Sequence, residues 1–174
     1  MAHVPMTPDI PDAPDIPDAP DIPDAPDIIV PDRPLPEHRE AVARLLDAYN
    51  DVGSGIPDPV MPLALLLREP GSDTVIGGLW GVSYWRWLFV DLLFVPEAQR
   101  GRGLGTMLLR QAEAKGRERG CLGVWLLSFS FQAPDFYRRL GYSAFGSIEA
   151  YPPGHRCTYF SKRLDQAGRC EEPG

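Results

Sequence analysis

The sequence is poor in several things. It has three cysteines in 174 residues, Cys121, Cys157 and Cys170, odd in number and not spaced as pairs. That argues for reduced thiols in a cytoplasmic protein and against a disulfide framework. Three scattered histidines and three scattered cysteines make no metal site. No apolar run approaches the roughly 18 residues of a membrane span. The N-terminal Met-Ala-His-Val-Pro-Met lacks an apolar core, so no signal peptide is expected. Basic excess is also missing. Seven of the 24 acidic residues lie in the first 28 positions, which contain no Lys or Arg, and the remaining 17 acidic residues equal the 17 basic ones. A neutral body with an anionic arm is a poor candidate for binding nucleic acid, where clustered positive charge is needed.

Proline, by contrast, is concentrated. Ten of the 20 prolines lie at or before Pro34. Residues 8–25 are three perfect copies of Pro-Asp-Ile-Pro-Asp-Ala, and Pro26-Asp27-Ile28 begins a fourth. A three-residue spacing matches the three residues per turn of polyproline II, about 55 Å over the three copies at ~3.1 Å per residue. Every third residue lacks an N–H, so no ladder can form, and little apolar surface offsets the entropy of ordering. Residues 1–27 are expected to be a disordered arm: a docking arm for a partner, a spacer, or a repeat expansion without a role. Residues 28–164 form the expected domain, long enough for one core, and 165–174 a flexible tail.

Within the body, Ile28-Ile29-Val30 reads as a short strand. Ala41, Val42, Leu45, Leu46 and Tyr49 recur at helical spacing from Pro36 to about Tyr49. Strands are expected over Leu63–Arg68, Thr74–Tyr84 and Trp87–Val95, with a turn at Pro70-Gly71-Ser72-Asp73. Leu104, Met107, Leu108 and Ala112 mark one face of a second helix, stopped by Gly120. Leu122–Leu127 is a nearly continuous apolar run, as in a strand covered on both faces. Pro134 opens a short helix that Gly141 closes. Two further strands run near Ser143–Ala150 and Arg156–Arg163.

Arg100-Gly101-Arg102-Gly103-Leu104-Gly105 links a strand to a helix. Glycines permit a tight turn and close backbone approach. A helix N-terminus supplies free N–H groups and partial positive charge. Such a loop suits a pyrophosphate. A P-loop would need Gly-Lys-Ser/Thr, and no Lys is present. A dinucleotide fingerprint would need glycine where Thr106 stands. Coenzyme A is the third option.

At this point the sequence resembles the GNAT superfamily of acetyl-CoA-dependent N-acetyltransferases, in a bacterial-type branch. Their loop, Arg/Gln-x-x-Gly-x-Gly/Ala, is matched by Arg100, Gly103 and Gly105. Their short-helix motif, Ala-x-x-Phe/Leu-Tyr-x-x-x-Gly-Phe/Tyr, is matched by Ala133, Phe136, Tyr137, Gly141 and Tyr142. The resemblance covers Ile28 to Leu164. It implies an α/β (α+β) fold with a mixed central sheet of six to seven strands, splayed between strands 4 and 5 and flanked by about four helices.

The resemblance also implies a site. Acetyl-CoA would lie in the splay. Its pantetheine would bond backbone groups of Leu93, Phe94 and Val95, and its pyrophosphate the stretch Arg100, Gly101, Arg102, Gly103, Leu104, Gly105 and Thr106. Ser130 stands where many members have a pantetheine-binding Asn. A primary amine, most simply on a small molecule, would attack the thioester directly. Tyr137 matches the tyrosine that protonates the departing thiolate; a phenol of pKa about 10 can serve a thiolate of about 8.5 or above when the two are held together. For the base, Asp91 competes with ordered water. The usual carboxylate position carries Phe89, and residues 89, 91, 93 and 95 are expected to share a face. Tyr84, Trp85 and Trp87, clustered with Trp80, are either an acceptor wall or core packing, and His155 either borders the acceptor or lies on a surface loop. A homodimer is possible in this family. The rival readings are a non-catalytic acyl-CoA sensor of the same fold and an interaction protein working through the Pro-Asp arm.

Overall fold

A computed structural model describes residues 26–55 and 59–165. All of the expected arm except Pro26 and Asp27, and all of the expected tail except Asp165, lie outside the described residues. The chain divides into two compact units, Met1–Ala43 and Arg44–Gly174.

The described part of the first unit is a segment without regular secondary structure followed by the first turns of α1, Pro36–Ser54. Ile28, Ile29 and Val30 form no strand and are 80–91% exposed. That corrects the expectation, because an apolar triplet without a ladder partner has nothing to hold it extended. In α1, Pro36 occupies the first position and the Leu35 N–H donates to His38 Nδ1 at 3.2 Å. The helix runs five residues past Tyr49. It stops at Gly55, whose φ of +63° is the left-handed ending that glycine permits.

The second unit is built on a six-stranded sheet of order β1-β2-β3-β4-β6-β5. The strands are β1 Met61–Arg68, β2 Val75–Tyr84, β3 Trp87–Phe94, β4 Gly123–Phe129, β5 Ser143–Glu149 and β6 Arg156–Arg163. Only the β3–β4 pair is parallel; the other neighbours are antiparallel. Two further helices are described, α2 Leu104–Glu118 and α3 Pro134–Arg139, and Glu97–Gln99 makes one 3₁₀ turn. Among the described residues no helix is long and apolar enough to cross a membrane.

α2 forms because Leu108, Leu109, Ala112 and Gly116 fall on one stripe, all buried against the sheet. They meet Leu63, Leu79, Leu88 and Val90 from β1–β3 and Val124 and Leu126 from β4. Each fully buried leucine there contributes about 1.5–3 kcal/mol. At the end of α2, Arg119 donates to the Met61 and Pro62 carbonyls, both at 2.9 Å, and to Ser83 Oγ at 3.0 Å. That guanidinium fixes the helix end to the β1–β2 pair.

Two irregularities set the course of β3. The β2–β3 hairpin turns on Trp85 and Arg86, both at positive φ, +45° and +60°. Paired positive φ suits a two-residue hairpin but strains residues with a Cβ. The second irregularity is a β-bulge. Trp80 pairs with Leu92 and Gly81 with Val90, so Asp91 is the unpaired extra residue. Before the bulge, Leu88 and Val90 face the core; after it, Leu93 and Val95 pack there while Leu92 and Phe94 are exposed. The bulge overturns the expectation that residues 89, 91, 93 and 95 share a face. Phe89, stacked on Trp125 with ring centroids 4.1 Å apart, falls on the side of Leu92 and Phe94.

Trp87 lies across Gly123 at the start of the β3–β4 ladder, and a Cβ on Gly123 would overlap the Trp87 ring and stand 2.9 Å from the Lys162 carbonyl oxygen. Gly123→Ala should therefore destabilise the domain by about 1–3 kcal/mol through overpacking. Urea denaturation followed by tryptophan fluorescence checks this: the midpoint should fall while the slope stays unchanged.

Candidate active site

The β3–β4 ladder stops early. Trp87–Val90 pair with Gly123–Leu126, and the ladder ends there. Beyond that point β3 continues paired to β2 and β4 continues paired to β6. The sheet thus forks, with Asp91 and Leu127 as the first unpaired residues on either side. The fork lies between the third and fourth strands, one fewer than expected, because Ile28–Val30 adds no strand. The unmatched strand edges carry backbone N–H and C=O groups that an extended ligand can satisfy as an added strand would.

A cleft of about 860 Å³ occupies the fork. It is lined by Val90 to Val95, by Leu126, Leu127 and Phe129 of β4, by the loop from Gln99 to Thr106 without Arg102, and by Phe136, Tyr137 and Arg139 of α3. Every residue expected to hold the cofactor lines this cleft except Arg102 and Ser130. Both exceptions have a physical reason. Arg102 donates to Gln99 Oε1 at 3.0 Å, folded back on its own turn. Ser130 Oγ lies 3.2 Å from His155 Nδ1 and accepts from the Arg156 N–H at 3.2 Å. The serine hydroxyl thus ties the end of β4 to the β5–β6 turn.

The loop has the geometry of an anion cradle. Gly101 and Gly103 have φ of +75° and +79°, and a Cβ on either would meet open space, so conformation alone demands glycine at both. Gly103 caps α2 without any side-chain hydrogen bond, and its carbonyl accepts from the Met107 N–H at 3.0 Å. The amides of Leu104, Gly105 and Thr106 therefore precede the first intrahelical bond and point out of the helix end. Gly105 is glycine for a different reason: a Cβ there would stand 3.1 Å from Phe136 Cζ. The loop glycine thus sets how closely α3 approaches α2. Arg100 adds a full positive charge at this end, its Nε donating to the Val95 carbonyl at 3.1 Å.

Asp91 and Tyr137 both line the cleft. Asp91 is exposed and sits at the crotch of the fork. Tyr137 is 9% exposed, its ring edge-on to Phe136 and Tyr142 and tilted against Phe160. Burial pushes its phenol above the ordinary tyrosine value. The group stays protonated through neutral and mildly alkaline pH and can act as a proton donor. The cleft thus has a cationic end at the loop and a carboxylate at the crotch.

Tyr84, Trp85, Trp87 and His155, each read as an acceptor contact or as packing or surface, are not among the residues lining this cleft. Tyr84, Trp85 and Trp87 belong to the β2–β3 hairpin, at the opposite end of β3 and roughly 23 Å along the strand from Phe94 at ~3.3 Å per residue. Trp87 packs on Gly123 and under the Arg163 guanidinium, 5.6 Å from its ring centroid. His155 packs edge-on against Phe131, with ring centroids 4.9 Å apart, so it touches a wall residue without itself facing the cleft.

Sequence reasoning missed other wall residues. Gln132 lines the cleft, and its Oε1 accepts from the Phe129 N–H at 3.0 Å, closing the turn after β4. Phe129 and Phe131 stack at 5.4 Å along the same wall. Their signal was the alternation of β4 continued to Phe129, two residues past the expected strand end.

The comparisons agree with this architecture. Residues 24–142 match the model of the acetyltransferase (GNAT) family. An acetyltransferase of Agrobacterium fabrum is 37% identical over 128 residues, spanning 74% of this chain and 92% of that protein. Blasticidin-S acetyltransferase of Streptomyces morookaense is 52% identical over 79 residues, spanning 45% of this chain and 58% of that protein. A crystal structure of an acetyltransferase from Agrobacterium tumefaciens superposes with a TM-score of 0.74 and 34% identity, covering 79% of this chain and 98% of that one. With the fork, the glycine loop and the Tyr137 helix in the family's order, the chain belongs to the acetyltransferase (GNAT) family.

Proposed function

We propose that the chain transfers an acetyl group from acetyl-CoA to a primary amine of a small, cationic acceptor. The observation that carries this reading is the fork itself. β3 and β4 stop pairing after Val90 and Leu126, β3 leads through the glycine loop to the α2 N-terminus and β4 to α3, and the cleft between them is lined by both and by a protonated phenol. This shape and polarity match an extended thioester carrier with an anionic pyrophosphate end.

In this reading the backbone of Leu93 to Val95 holds the pantetheine as an added strand, and the amides of Gly101 to Thr106 with Arg100 hold the pyrophosphate. The amine attacks the thioester carbonyl within the fork. A backbone N–H freed at the bulge is suited to stabilise the developing oxyanion. Tyr137 donates its proton to the departing thiolate. A buried phenol is a weaker acid than one in water, but the same burial raises the affinity of the thiolate for a proton. Asp91, at the crotch, attracts the ammonium form of the acceptor and takes up the proton released on attack, directly or through water.

The kind of acceptor is argued from two observations. Asp91 and the aromatic Phe94, Phe129 and Phe131, which line the same cleft, favour a cation with a planar or apolar body. The Streptomyces relative is named for acetylating blasticidin S, which makes that antibiotic a first compound to assay.

Three outcomes are expected. Gly103→Glu places a side chain at positive φ and a negative charge in the anion cradle; CoA binding, measured by calorimetry, should fall at least about a hundredfold with the fold intact by circular dichroism. Tyr137→Phe should lower kcat by about 10²–10⁴-fold with little change in the Kd for acetyl-CoA. Because burial raises its pKa, any Tyr137-dependent loss of rate in the wild-type enzyme should set in at a higher pH than an ordinary phenol's pKa of about 10 would give. Asp91→Asn should lower kcat/KM for a cationic amine at least about tenfold. In a coupled assay of free CoA release, transfer to none of a panel of amines including blasticidin S would overturn the reading.

A further inference from the structure

A partly buried charged cluster that the proposed mechanism leaves unused joins α2, β6 and the end of α3. Glu113 of α2 is 5% exposed. Lys162 of β6 donates to Glu113 Oε1 at 2.9 Å, to Oε2 at 3.0 Å and to the Leu140 carbonyl at 2.9 Å. The three N–H groups of its ammonium are thereby used. Tyr142 OH donates to Glu113 Oε1 at 3.1 Å, and Arg117 Nη2 stands 3.9 Å from Oε2. A buried carboxylate is tolerated only with such saturation.

The geometry places this cluster at the root of α3. That helix has six residues, too few to hold a position on its own. Its end depends on partners for the carbonyls that helix geometry leaves over. Lys162 takes the Leu140 carbonyl. The Tyr137 carbonyl accepts from the Leu140 N–H at 3.0 Å and from the Tyr142 N–H at 3.1 Å. The Tyr142 ring meets the Tyr137 ring edge-on at 6.1 Å. Lys162 and Tyr142, both bonded to Glu113, thus hold the turn from which Tyr137 projects.

We propose that Glu113 and Lys162 are positioning residues for the acid step: the Glu113-anchored ammonium locks the C-terminal turn of α3 and thereby fixes where the Tyr137 hydroxyl stands in the cleft. This rests on the assignment of Tyr137 as the acid. A tetrahedral ammonium reaches three acceptors arranged in this way; a planar guanidinium does not, so arginine restores the function only in part.

The test is a double-mutant cycle on the full chain, using wild type, Lys162→Met, Tyr137→Phe and the double variant with acetyl-CoA and an acceptor amine. Lys162→Met is expected to lower kcat roughly ten- to a hundredfold, as a misplaced group does, with the KM for acetyl-CoA changed less than about threefold and Lys162→Arg recovering part of the loss. In the Tyr137→Phe background Lys162→Met should cause no further loss, because the acid it positions is gone. Equal losses in both backgrounds, or none in wild type, would overturn the proposal. A wild-type kcat for Tyr137→Phe alone would instead overturn the acid assignment. Should Lys162→Met fail to fold, Glu113→Gln replaces it in the same cycle. A readout independent of turnover is the ring ¹³C resonance of Tyr137, assigned by its loss in Tyr137→Phe. It is expected to shift in Lys162→Met and Glu113→Gln, and a resonance unmoved in both would overturn the proposal.

Discussion

The second unit depends on the ladder between β3 and β4 ending after Val90 and Leu126. Two strands side by side ordinarily continue to pair, because every backbone N–H and C=O left without a partner costs free energy. Here each strand is held by its outer neighbour instead, β3 by β2 and β4 by β6. The bulge at Asp91 supplies the bend and the added twist that separate them. The fork is therefore a property of the whole sheet. It leaves two rows of backbone groups facing a cleft and prepares the protein for an extended ligand.

The other parts of the site are arranged around that opening. α2 packs on the sheet through Leu108, Leu109 and Ala112 and so brings its N-terminus to one end of the fork. Gly105 lets Phe136, and with it α3, come close. The short helix brings Tyr137 to the cleft wall while the Phe160 and Tyr142 rings keep it largely dry. Burial that raises a phenol's pKa and packing that orients its ring are the same contacts. Tyr137 thus needs no separate device to stay protonated.

Much of this was legible in the chain. The α2 stripe, the glycine stops and the apolar β4 run are local signals, and the elements formed within a few residues of where those signals put them. The loop and short-helix motifs carry local signals, a positive φ at Gly103 and a helix start at Pro134, whereas Gly105 answers to the approach of Phe136, 31 residues on. Composition alone placed less. Ile28–Val30 is apolar but pairs with nothing. Tyr84, Trp85 and Trp87 are aromatic, but their richness carries no direction, and the hairpin takes them away from the cleft.

The sequence by itself determined the family and, from α1 on, the order of strands and helices, since these are encoded in residues that are neighbours along the chain. Tertiary structure alone decided the face of Asp91, because a bulge arises from the register between β2 and β3 and not from β3 itself. It alone decided that Ser130 turns to His155, 25 residues away, and that Glu113 and Lys162, 49 residues apart, meet beneath α3. Such contacts depend on which strands lie side by side, and pairing is settled only when the whole sheet has formed.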